Sequence, residues 1–265
     1  MSFTITTWNV NSLKVRLPQV LDFLKANENN ILCLQELKMQ EADIDAATFK
    51  EIGYTLDAFG QKTYNGVATI LRHPLTFLPE EEIRNIPGFE DPQSRLLATT
   101  AQVGHEKLRV INGYFPNGET TESEKFSYKL TWLEALIKWL PSQLEQYPNL
   151  VLLGDFNIAP EDRDVWDPES WAESVLCTPQ ARAAFQRLID LGLTDAFRSF
   201  EQPEKSYSWW DYRMMAFRRN RGLRIDHILI SRALVRKNLG VEIHKKVRGN
   251  ERPSDHAPVT LTLDL

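Results

Sequence analysis

The chain has 265 residues, of which 42% are hydrophobic and 25% are charged, and its formal net charge is −5 at pH 7. These proportions are typical of a globular protein. No apolar run approaches the roughly 18 residues that a membrane-spanning helix needs, and the N-terminus lacks the basic and apolar regions of a signal peptide. The acidic balance argues at first against a nucleic-acid partner, because DNA-binding domains are usually basic.

Strand-like runs alternate with helical periodicity along the whole chain. The pattern predicts strands at residues 3–8, 31–34, 66–71, 96–103, 108–114, 150–153, 224–230 and 257–263. Helical spacing of apolar residues predicts amphipathic helices over residues 16–27, 122–146 and 181–191. Since no linker interrupts this alternation, we expect residues 1–265 to form a single α/β domain, with two packed mixed sheets covered by helices.

The two cysteines of the chain, Cys33 and Cys177, do not have the spacing of a zinc site. Cys33 lies in the apolar run 31–34 and is expected to be a buried free thiol. Two unpaired thiols fit a reducing compartment, so we expect a cytoplasmic protein.

Polar residues cluster at the ends of the predicted strands, where rigid frameworks commonly present functional loops. Eight of them carry chemistry, namely Asn9, Glu36, Tyr114, Asp155, Asn157, Asp226, Asp255 and His256. Neither the order of a Ser-His-Asp triad nor a glycine-rich phosphate loop accompanies them. Each residue alone could be a turn former, a paired acid or a hydrogen-bonded core histidine. Their joint occurrence at strand ends favours a functional site.

Carboxylate and amide oxygens are the hard ligands that Mg²⁺ and Mn²⁺ prefer. In such a site His256 would stabilise a charged phosphoryl oxygen, and an aspartate would fix its tautomer. Asp155 would polarise an attacking water. Asn157 and Tyr114 would donate hydrogen bonds to the non-bridging oxygens, where charge builds during cleavage. These residue types therefore indicate metal-dependent phosphodiester hydrolysis.

Seven short motifs flank these residues and occur in order along the chain. They are WNVN (8–11), LQELK (34–38), NGYFPNG (112–118), GDFNIAP (154–160), SYSWWDYR (206–213), RGLRID (221–226) and SDHAP (254–258). Together they resemble the exonuclease III family of AP endonucleases, within the endonuclease/exonuclease/phosphatase superfamily. The resemblance spans residues 4–264. The tryptophan-containing motif and RGLRID favour the DNA-repair branch over the lipid phosphatases.

The resemblance implies a four-layer α/β sandwich of the DNase I type, in which two packed mixed sheets are flanked by helices. It implies hydrolysis 5′ to abasic sites in duplex DNA, together with 3′-to-5′ exonuclease or 3′-phosphatase action, in base excision repair. It further implies a monomeric, bacterial-type enzyme that uses Mg²⁺, with Mn²⁺ as a substitute, and that does not bind membranes.

The same resemblance implies three sets of site residues by position. The implied catalytic residues are Tyr114, Asp155, Asn157, Asp226 and His256. Glu36 is the main implied metal ligand, and the others are Asn9, Asp155, Asn157, Asp255 and His256. The implied substrate-binding residues are Asn11, Lys38, Asn117, Trp209, Arg213, Leu223 and Ile225. Among these, Trp209, Leu223 and Ile225 fall where the family builds an apolar pocket for a flipped sugar without its base.

Two segments leave open the balance between exonuclease and AP endonuclease activity. Residues 161–182 lie in a stretch that varies within the family, and residues 118–121 lack the arginine with which some relatives prop the DNA open. Two other functions also stay open. A related phosphodiesterase could act on nonspecific DNA, a phospholipid or an inositol phosphate, and a non-catalytic DNA-binding module could keep the fold. A phosphodiesterase that acts on lipids would need an exposed apolar anchor. A non-catalytic module would have lost one or more of the site residues.

The charge is unevenly distributed along the chain. Residues 205–252 carry 13 basic and 4 acidic side chains, so this segment has a charge of +9 while the remainder has −14. The segment contains Trp209 and Asp226 and ends just before His256. Because contacts to phosphates supply most nonspecific affinity for DNA, we expect the basic segment to form the DNA-binding face.

Overall fold

The computed structural model describes residues 2–265. In this part of the chain the strands are β1 (Ser2–Asn9), β2 (Ile31–Gln35), β3 (Tyr54–Phe59), β4 (Val67–Arg72), β5 (Thr76–Phe77), β6 (Ile83–Arg84), β7 (Leu96–Val103), β8 (Glu106–Tyr114), β9 (Leu150–Asp155), β10 (Leu193–Asp195), β11 (Asp226–Ser231), β12 (Asn238–Ile243) and β13 (Val259–Asp264). The α-helices are α1 (Leu13–Asn27), α2 (Ala46–Glu51), α3 (Glu124–Gln146), α4 (Pro168–Trp171), α5 (Pro179–Asp190) and α6 (Arg232–Val235).

The strands form two mixed sheets. The first has the order β12-β13-β1-β2-β4-β3, and the second has the order β10-β11-β9-β8-β7-β5, with β6 also paired to β7. Strands β1 and β2 are parallel, as are β8 and β9, and the remaining pairs are antiparallel. Each parallel pair is joined by a helical crossover, α1 in the first sheet and α3 in the second, as parallel strands require.

Three apolar cores define four layers. Ile5, Val110 and Ile228 belong to a core between the two sheets. A second core packs α1 and α2 on the outer face of the first sheet, and a third packs α3 and α5 on the outer face of the second sheet. The predicted four-layer sandwich of two mixed sheets flanked by helices is therefore confirmed.

The sequence located the long elements and missed several short ones. The helices predicted at 16–27 and 181–191 begin earlier, at Leu13 and Pro179. The strand predicted over 224–230 begins at Asp226, so this residue starts the strand rather than lying within it. Strands β3 and β12 were missed because their burial does not alternate regularly. Within residues 2–265, no helix is both long and apolar enough to cross a membrane.

The sheet pairings bring the predicted site residues to one edge. Parallel strands end at the same edge, so Tyr114 at the end of β8 lies beside Asp155 at the end of β9. An antiparallel neighbour begins where its partner ends, and Asp226 at the start of β11 is therefore paired with Asp155. By the same rule, His256 precedes β13 next to Asn9 at the end of β1.

Two side-chain amides link the sheets beneath this edge. The Gln35 amide nitrogen donates to Asn112 Oδ1 over 2.8 Å. The Asn112 amide donates in turn to the carbonyl oxygens of Leu34 and Ala68, at 3.1 and 2.9 Å. Buried polar groups stabilise only when they are paired, and this pairing fixes how the two sheets are aligned.

A glycine permits the close approach of β8 and β9 at the same edge. Gly154 adopts φ +143°, and a Cβ atom at this position would lie 1.8 Å from the carbonyl oxygen of Gly113. No side chain fits there, since the clash is with backbone. The neighbouring residues Tyr114 and Asp155 depend on this contact for their separation.

We expect the Gly154→Ala substitution to destabilise the protein by more than about 3 kcal/mol, because it combines a backbone clash with a left-handed conformation. Equilibrium urea unfolding measures the change. Gly192→Ala is the matched control, since Gly192 also has a positive φ of +100° but open space around it, and it should cost only about 1 kcal/mol. Equal losses for the two variants would contradict the role of the close approach.

Candidate active site

A hydrogen-bonded chain of three side chains lies at the centre of the edge. His256 Nδ1 is 2.9 Å from Asp226 Oδ2 and 3.1 Å from Oδ1. The Ser208 hydroxyl donates to Asp226 Oδ2 over 2.6 Å and accepts from the backbone amides of Ile225 and Asp226, each at 3.1 Å. The imidazole is buried, and this carboxylate fixes its orientation.

The carboxylate of Asp155 connects the two sheets. Its Oδ2 accepts from the Asn9 amide over 2.9 Å and lies 3.7 Å from His256 Nε2. Its Oδ1 accepts from the backbone amide of Asn157 over 3.0 Å, and the Asn157 side chain approaches Oδ2 at 3.3 Å. Asn9 belongs to the first sheet and Asp155 to the second, so one carboxylate joins both halves of the molecule.

Burial and charge shift the pKa values of this pair in a definite way. Burial disfavours the imidazolium of His256, but the carboxylates of Asp226 and Asp155 outweigh it and raise the pKa of His256 to about 10. Burial raises the pKa of Asp155 to about 7, with Asp226 adding to the effect and His256 opposing it. At neutral pH the site therefore contains an imidazolium beside a carboxyl group that titrates near the working pH.

Tyr114 is held as a neutral hydroxyl. Burial raises its pKa well above 10, and the negative charges of Glu36, Asp155 and Asp255 raise it further. The Arg95 guanidinium opposes this shift and lies 4.9 Å from the centre of the Tyr114 ring. Tyr114 is consequently a hydrogen-bond donor at neutral pH, and the three carboxylates are all close enough to influence it.

The loop residues after β1 and β2 form a second network. Lys38 Nζ lies 2.9 Å from Glu36 Oε1 and 2.6 Å from Asn11 Oδ1. The Asn11 amide donates to Asp255 Oδ1, and the Trp209 indole donates to Asp255 Oδ2, both over 2.9 Å. These donors and the imidazolium of His256 outweigh burial and hold the pKa of Asp255 below its usual range.

Four of these positions have left-handed backbone conformations. Asn11 has φ 45°, Glu36 has φ 60°, Lys38 has φ 56° and Asn157 has φ 50°. Asparagine tolerates this region, whereas glutamate adopts it rarely. Such strained positions cluster at functional sites, and here they turn the Glu36 side chain away from the direction of β2.

The oxygens of this region suit a metal ion. Glu36 Oε1 and Asn11 Oδ1 already converge on one cation, the Lys38 ammonium. In the described residues, Asp155, Asp226 and His256 also offer one atom each, all within 4.8 Å of one another. The donors are mostly carboxylate and amide oxygens, which fits a hard divalent cation. An imidazolium has no free lone pair, so the two predicted roles of His256, metal binding and facing the phosphate as a cation, need different protonation states.

The residues of the predicted apolar pocket pack together in one cluster. Leu223 and Ile225 are buried, with exposed fractions of 0% and 2%. Trp209 is half-buried and meets the half-buried Trp171 in a T-shaped contact with ring centroids 6.0 Å apart. Leu223 and Ile225 therefore form the interior of this cluster, whereas the two tryptophans reach the surface. The adjacent Trp210 is fully buried and belongs to the core.

Arg213 does not join the other predicted residues. Its exposed side chain pairs with Asp211 at 2.7 Å, two residues away. The other predicted substrate residues lie at the site: Asn11 and Lys38 in the network around Glu36, and Asn117, whose amide donates to Asn157 Oδ1 over 2.9 Å.

The basic segment divides between two ends of the molecule. Arg218 and Arg219 are exposed in the loop before β11, at the end where the site lies. Arg224 is buried and paired with Asp164 and Asp195, so its charge is not available to a ligand. Helix α6 follows β11 and carries Arg232 to the opposite edge. The charge of +9 therefore overstates what faces the site.

Several residues that contact the site residues were not predicted from the sequence, among them Arg95 beside Tyr114. Ser208 supports Asp226, Trp171 contacts Trp209, and Lys129 binds the backbone of Asn157. Ser208 lies in the motif SYSWWDYR and Trp171 in the variable stretch 161–182, but nothing in the sequence distinguished either residue from its neighbours. Lys129 had a detectable signal, since it occupies the apolar face of a predicted helix.

Residues 6–256 match the family described as the endonuclease/exonuclease/phosphatase family. The chain is 34% identical to exodeoxyribonuclease III of Haemophilus influenzae over 262 residues, which cover 96% of this chain and 97% of that protein. The chain therefore belongs to the endonuclease/exonuclease/phosphatase family, within which the exodeoxyribonuclease III proteins are its relatives.

Two solved structures share the whole fold. One is the 3′ phosphatase NExo from Neisseria bound to a product DNA hairpin, with a TM-score of 0.94 and 45% identity, covering 99% of this chain and 100% of that one. The other is an AP endonuclease from Archaeoglobus fulgidus, with a TM-score of 0.91, 34% identity and the same coverage. The predicted family and fold are thus both confirmed.

We expect Asp226→Asn to lower the pKa of His256 from about 10 towards its ordinary value of 6.5, because the substitution removes the adjacent negative charge and keeps the side-chain shape. An NMR titration of the imidazole nitrogens in metal-free protein measures this. Asp190→Asn, at an exposed helical position, is the control and should leave the titration unchanged. An unaltered pKa in the Asp226 variant would refute the charge coupling.

Proposed function

We propose that the protein is a metal-dependent DNA-repair nuclease that hydrolyses phosphodiesters in duplex DNA. The observation that carries this proposal is the buried chain from Asp155 through His256 to Asp226, with separations of 3.7 and 2.9 Å. It places a carboxyl group that titrates near neutral pH beside a fixed imidazolium. The family match supports a phosphodiester or phosphomonoester as the substrate bond.

In the proposed reaction Asp155 accepts a proton from the attacking water. Its raised pKa of about 7 suits a general base at neutral pH, since base strength and availability are then balanced. Asn9 and Asn157 hold its two oxygens through hydrogen bonds of 2.9 and 3.0 Å. The carboxylate is therefore oriented before substrate binds, which reduces the cost of reaching the reactive geometry.

Three donors stabilise the charge that develops on the phosphate. His256 offers Nε2–H as an imidazolium, since Asp226 occupies Nδ1. Tyr114 offers a neutral hydroxyl, and Asn157 would offer the amide N–H that lies 3.3 Å from Asp155 Oδ2 before substrate binds. Pre-oriented donors in a buried site are worth more than donors in water, and charge-assisted hydrogen bonds from an imidazolium are the strongest of the three.

We propose Mg²⁺ as the cofactor, with Mn²⁺ as a substitute. Glu36 would be the main ligand, supported by Asp255 and Asn9. The hard oxygens of Glu36 and Asp255 lie in the network around Lys38, and Asn9 Oδ1 accepts from the backbone amide of Asn11 beside it. A bound divalent cation would neutralise charge on the phosphate oxygens and lower the pKa of its bound water. Asp155 and Asn157 would face this ion from the second sheet.

The proposed substrates are 3′ ends and abasic sites in duplex DNA, in base excision repair. The 45%-identical structure is a 3′ phosphatase with product DNA, and the 34%-identical one is an AP endonuclease. The higher identity of the phosphatase supports 3′-end processing as the principal activity. Trp209 and Trp171 would contact the terminal or base-less sugar above the floor formed by Leu223 and Ile225.

We also propose that the chain works as a single catalytic domain and as a monomer in the cytoplasm. The site needs both sheets, which supports one functional unit. Cys33 and Cys177 are both buried free thiols, as a reducing compartment allows. All eight predicted site residues are present, and seven of them hydrogen-bond or ion-pair within the site, which argues against a non-catalytic module.

We expect Glu36→Ala and Asp155→Asn each to lower kcat by at least about 100-fold, because each removes a group that acts on the reacting phosphate. The assay uses a duplex with one tetrahydrofuran abasic site and a 3′-recessed duplex, each with Mg²⁺ and with EDTA. Glu145→Ala, at an exposed position on α3, is the control. Full activity in either site variant would exclude the assigned role, and an inactive wild type would exclude the function.

DNA affinity should fall at least about 100-fold as NaCl rises from about 50 to about 200 mM, despite the net negative charge, because phosphate contacts release counterions. Fluorescence anisotropy in EDTA measures binding without cleavage. Replacing Arg218 and Arg219 with Gln should reduce the slope of log affinity against log salt by about 2. Replacing the remote Lys25 and Lys138 with Gln should not change it. A flat response to salt in the wild type would rule out this binding face.

A further inference from the structure

Lys129 is a fully buried lysine in the second turn of α3, close behind the active site. It occupies the same helical face as Phe126, Leu133 and Leu136, all of which are in the apolar core. Lysine is almost never fully buried unless its ammonium is paired. The contacts of this ammonium therefore need an explanation that packing alone does not give.

The Lys129 ammonium donates three hydrogen bonds, all to backbone carbonyl oxygens. The acceptors are Asn157 at 2.7 Å, Val175 at 2.8 Å and Asn117 at 3.1 Å. An ammonium has three N–H donors, so every donor is used. In the described chain no carboxylate lies within 4.0 Å of Nζ. Burial lowers the pKa of Lys129 to about 7, and the charge of Asp155 opposes this shift, so the ammonium is held by the carbonyl oxygens and by that more distant carboxylate.

The three acceptors come from three different segments. Asn117 follows β8, Asn157 follows β9, and Val175 lies in the stretch 161–182 that borders the substrate pocket. Val175 packs in one cluster with Leu223 and Ile225, the proposed floor of that pocket. The Lys129 ammonium is thus a common attachment point for the residues that flank the phosphate and for the wall that would contact the sugar.

The backbone conformation of Asn157 depends on contacts such as the hydrogen bond from Lys129. Its backbone is left-handed, with φ 50°, and its amide nitrogen already contacts the Phe115 carbonyl at 3.0 Å and Asp155 Oδ2 at 3.3 Å. Only the surrounding contacts keep this conformation in place. A shift of about 1 Å in a group that contacts the reacting atoms is enough to slow a reaction about 100-fold.

We propose that Lys129 is a positioning residue that holds the catalytic Asn157 and the pocket wall at residues 171–177 in register with each other. This inference rests on the nuclease function proposed above, because Asn157 is its catalytic target. An apolar side chain would fill the same space without desolvating a charge. The contribution specific to the ammonium is therefore the connection between the three segments.

The first test compares Lys129→Met with Lys125→Met on a 3′-recessed duplex at saturating Mg²⁺. Lys125 lies one turn earlier on the same helix and is exposed, so it controls for the loss of one positive charge from α3. We expect kcat to fall at least about tenfold in the Lys129 variant, with KM for DNA changed less than about threefold. Wild-type kcat in a folded Lys129→Met protein would overturn the inference.

The second test is a double-mutant cycle with Asn157→Ala. If Lys129 acts through Asn157, Lys129→Met should reduce kcat by less than about twofold in the Asn157→Ala background, because contacting residues show non-additive effects. Multiplicative losses would mean that Lys129 contributes only general stability, which would overturn the inference. Melting temperatures of all four proteins accompany the cycle.

Lys129→Gln replaces the methionine variant if the latter does not fold, since its amide still donates two hydrogen bonds. It should retain more kcat than Lys129→Ala, and kcat of the alanine variant should rise with added ethylammonium but not with equal NaCl at saturating DNA. No rescue and no difference between Gln and Ala would also overturn the proposal.

A readout that needs no activity separates this inference from the proposed function. Limited trypsin digestion at Arg163 should be faster in the Lys129 variant than in the Lys125 control, because Val175 has lost its attachment. Unchanged digestion together with unchanged kcat would refute the role of Lys129. If the wild type cleaves no DNA but trypsin still cuts the Lys129 variant faster than the Lys125 control, only the nuclease function is refuted.

Discussion

The hydrogen bond between Asn9 and Asp155 is the contact on which the site depends, because it crosses from one sheet to the other. Asn9 ends β1 and Asp155 ends β9, and each strand belongs to the parallel pair of its sheet. The positions of the two side chains are therefore set by strand register rather than by loop conformation. The amide pair of Gln35 and Asn112 lies beneath it and aligns the same two sheets. A shift of one residue in the pairing register of β1 or β9 would turn the side chains of that strand to the opposite face of its sheet.

This constraint explains the electrostatics of the site. Bringing Asp155, Asp226 and His256 together at a dry edge costs desolvation, which the rest of the fold must offset. The arrangement in turn raises the pKa of both Asp155 and His256. The fold thus holds a proton acceptor and a cationic donor 3.7 Å apart in a buried position.

Much of the fold could be predicted from the sequence because its long elements have clear periodicity. The core strands and the helices α1, α3 and α5 bury one face or both, and their apolar residues recur accordingly. Strand β3 and helix α2 could not be predicted, since neither has a regular burial pattern. Strand β3 is positioned by its pairing with β4, and α2 packs against the same sheet through Phe49, and no local pattern encodes such tertiary contacts.

The site itself was predictable as a set of residues but not as a geometry. The strand ends indicated Glu36, Asp155 and His256, whereas nothing local indicated that Leu223 and Ile225 would be buried beneath two tryptophans. The pairing of Arg224 with Asp164 was equally hidden, because the partners are 60 residues apart. Lys129 is the opposite case. A lysine on the apolar face of a predicted helix is visible in the sequence, and its three backbone acceptors supply the structural reason.

The antiparallel pairing of β1 with β13 joins segments that are far apart in the sequence. The Ser254 hydroxyl, just before β13, donates to the Asn9 carbonyl oxygen at the end of β1, across a separation of 245 residues. Asn9, Asp255 and His256 therefore reach one site only when these two strands pair. Loss of this single pairing would leave every site residue present but the proposed centre unassembled, so nuclease activity would report on completion of the first sheet.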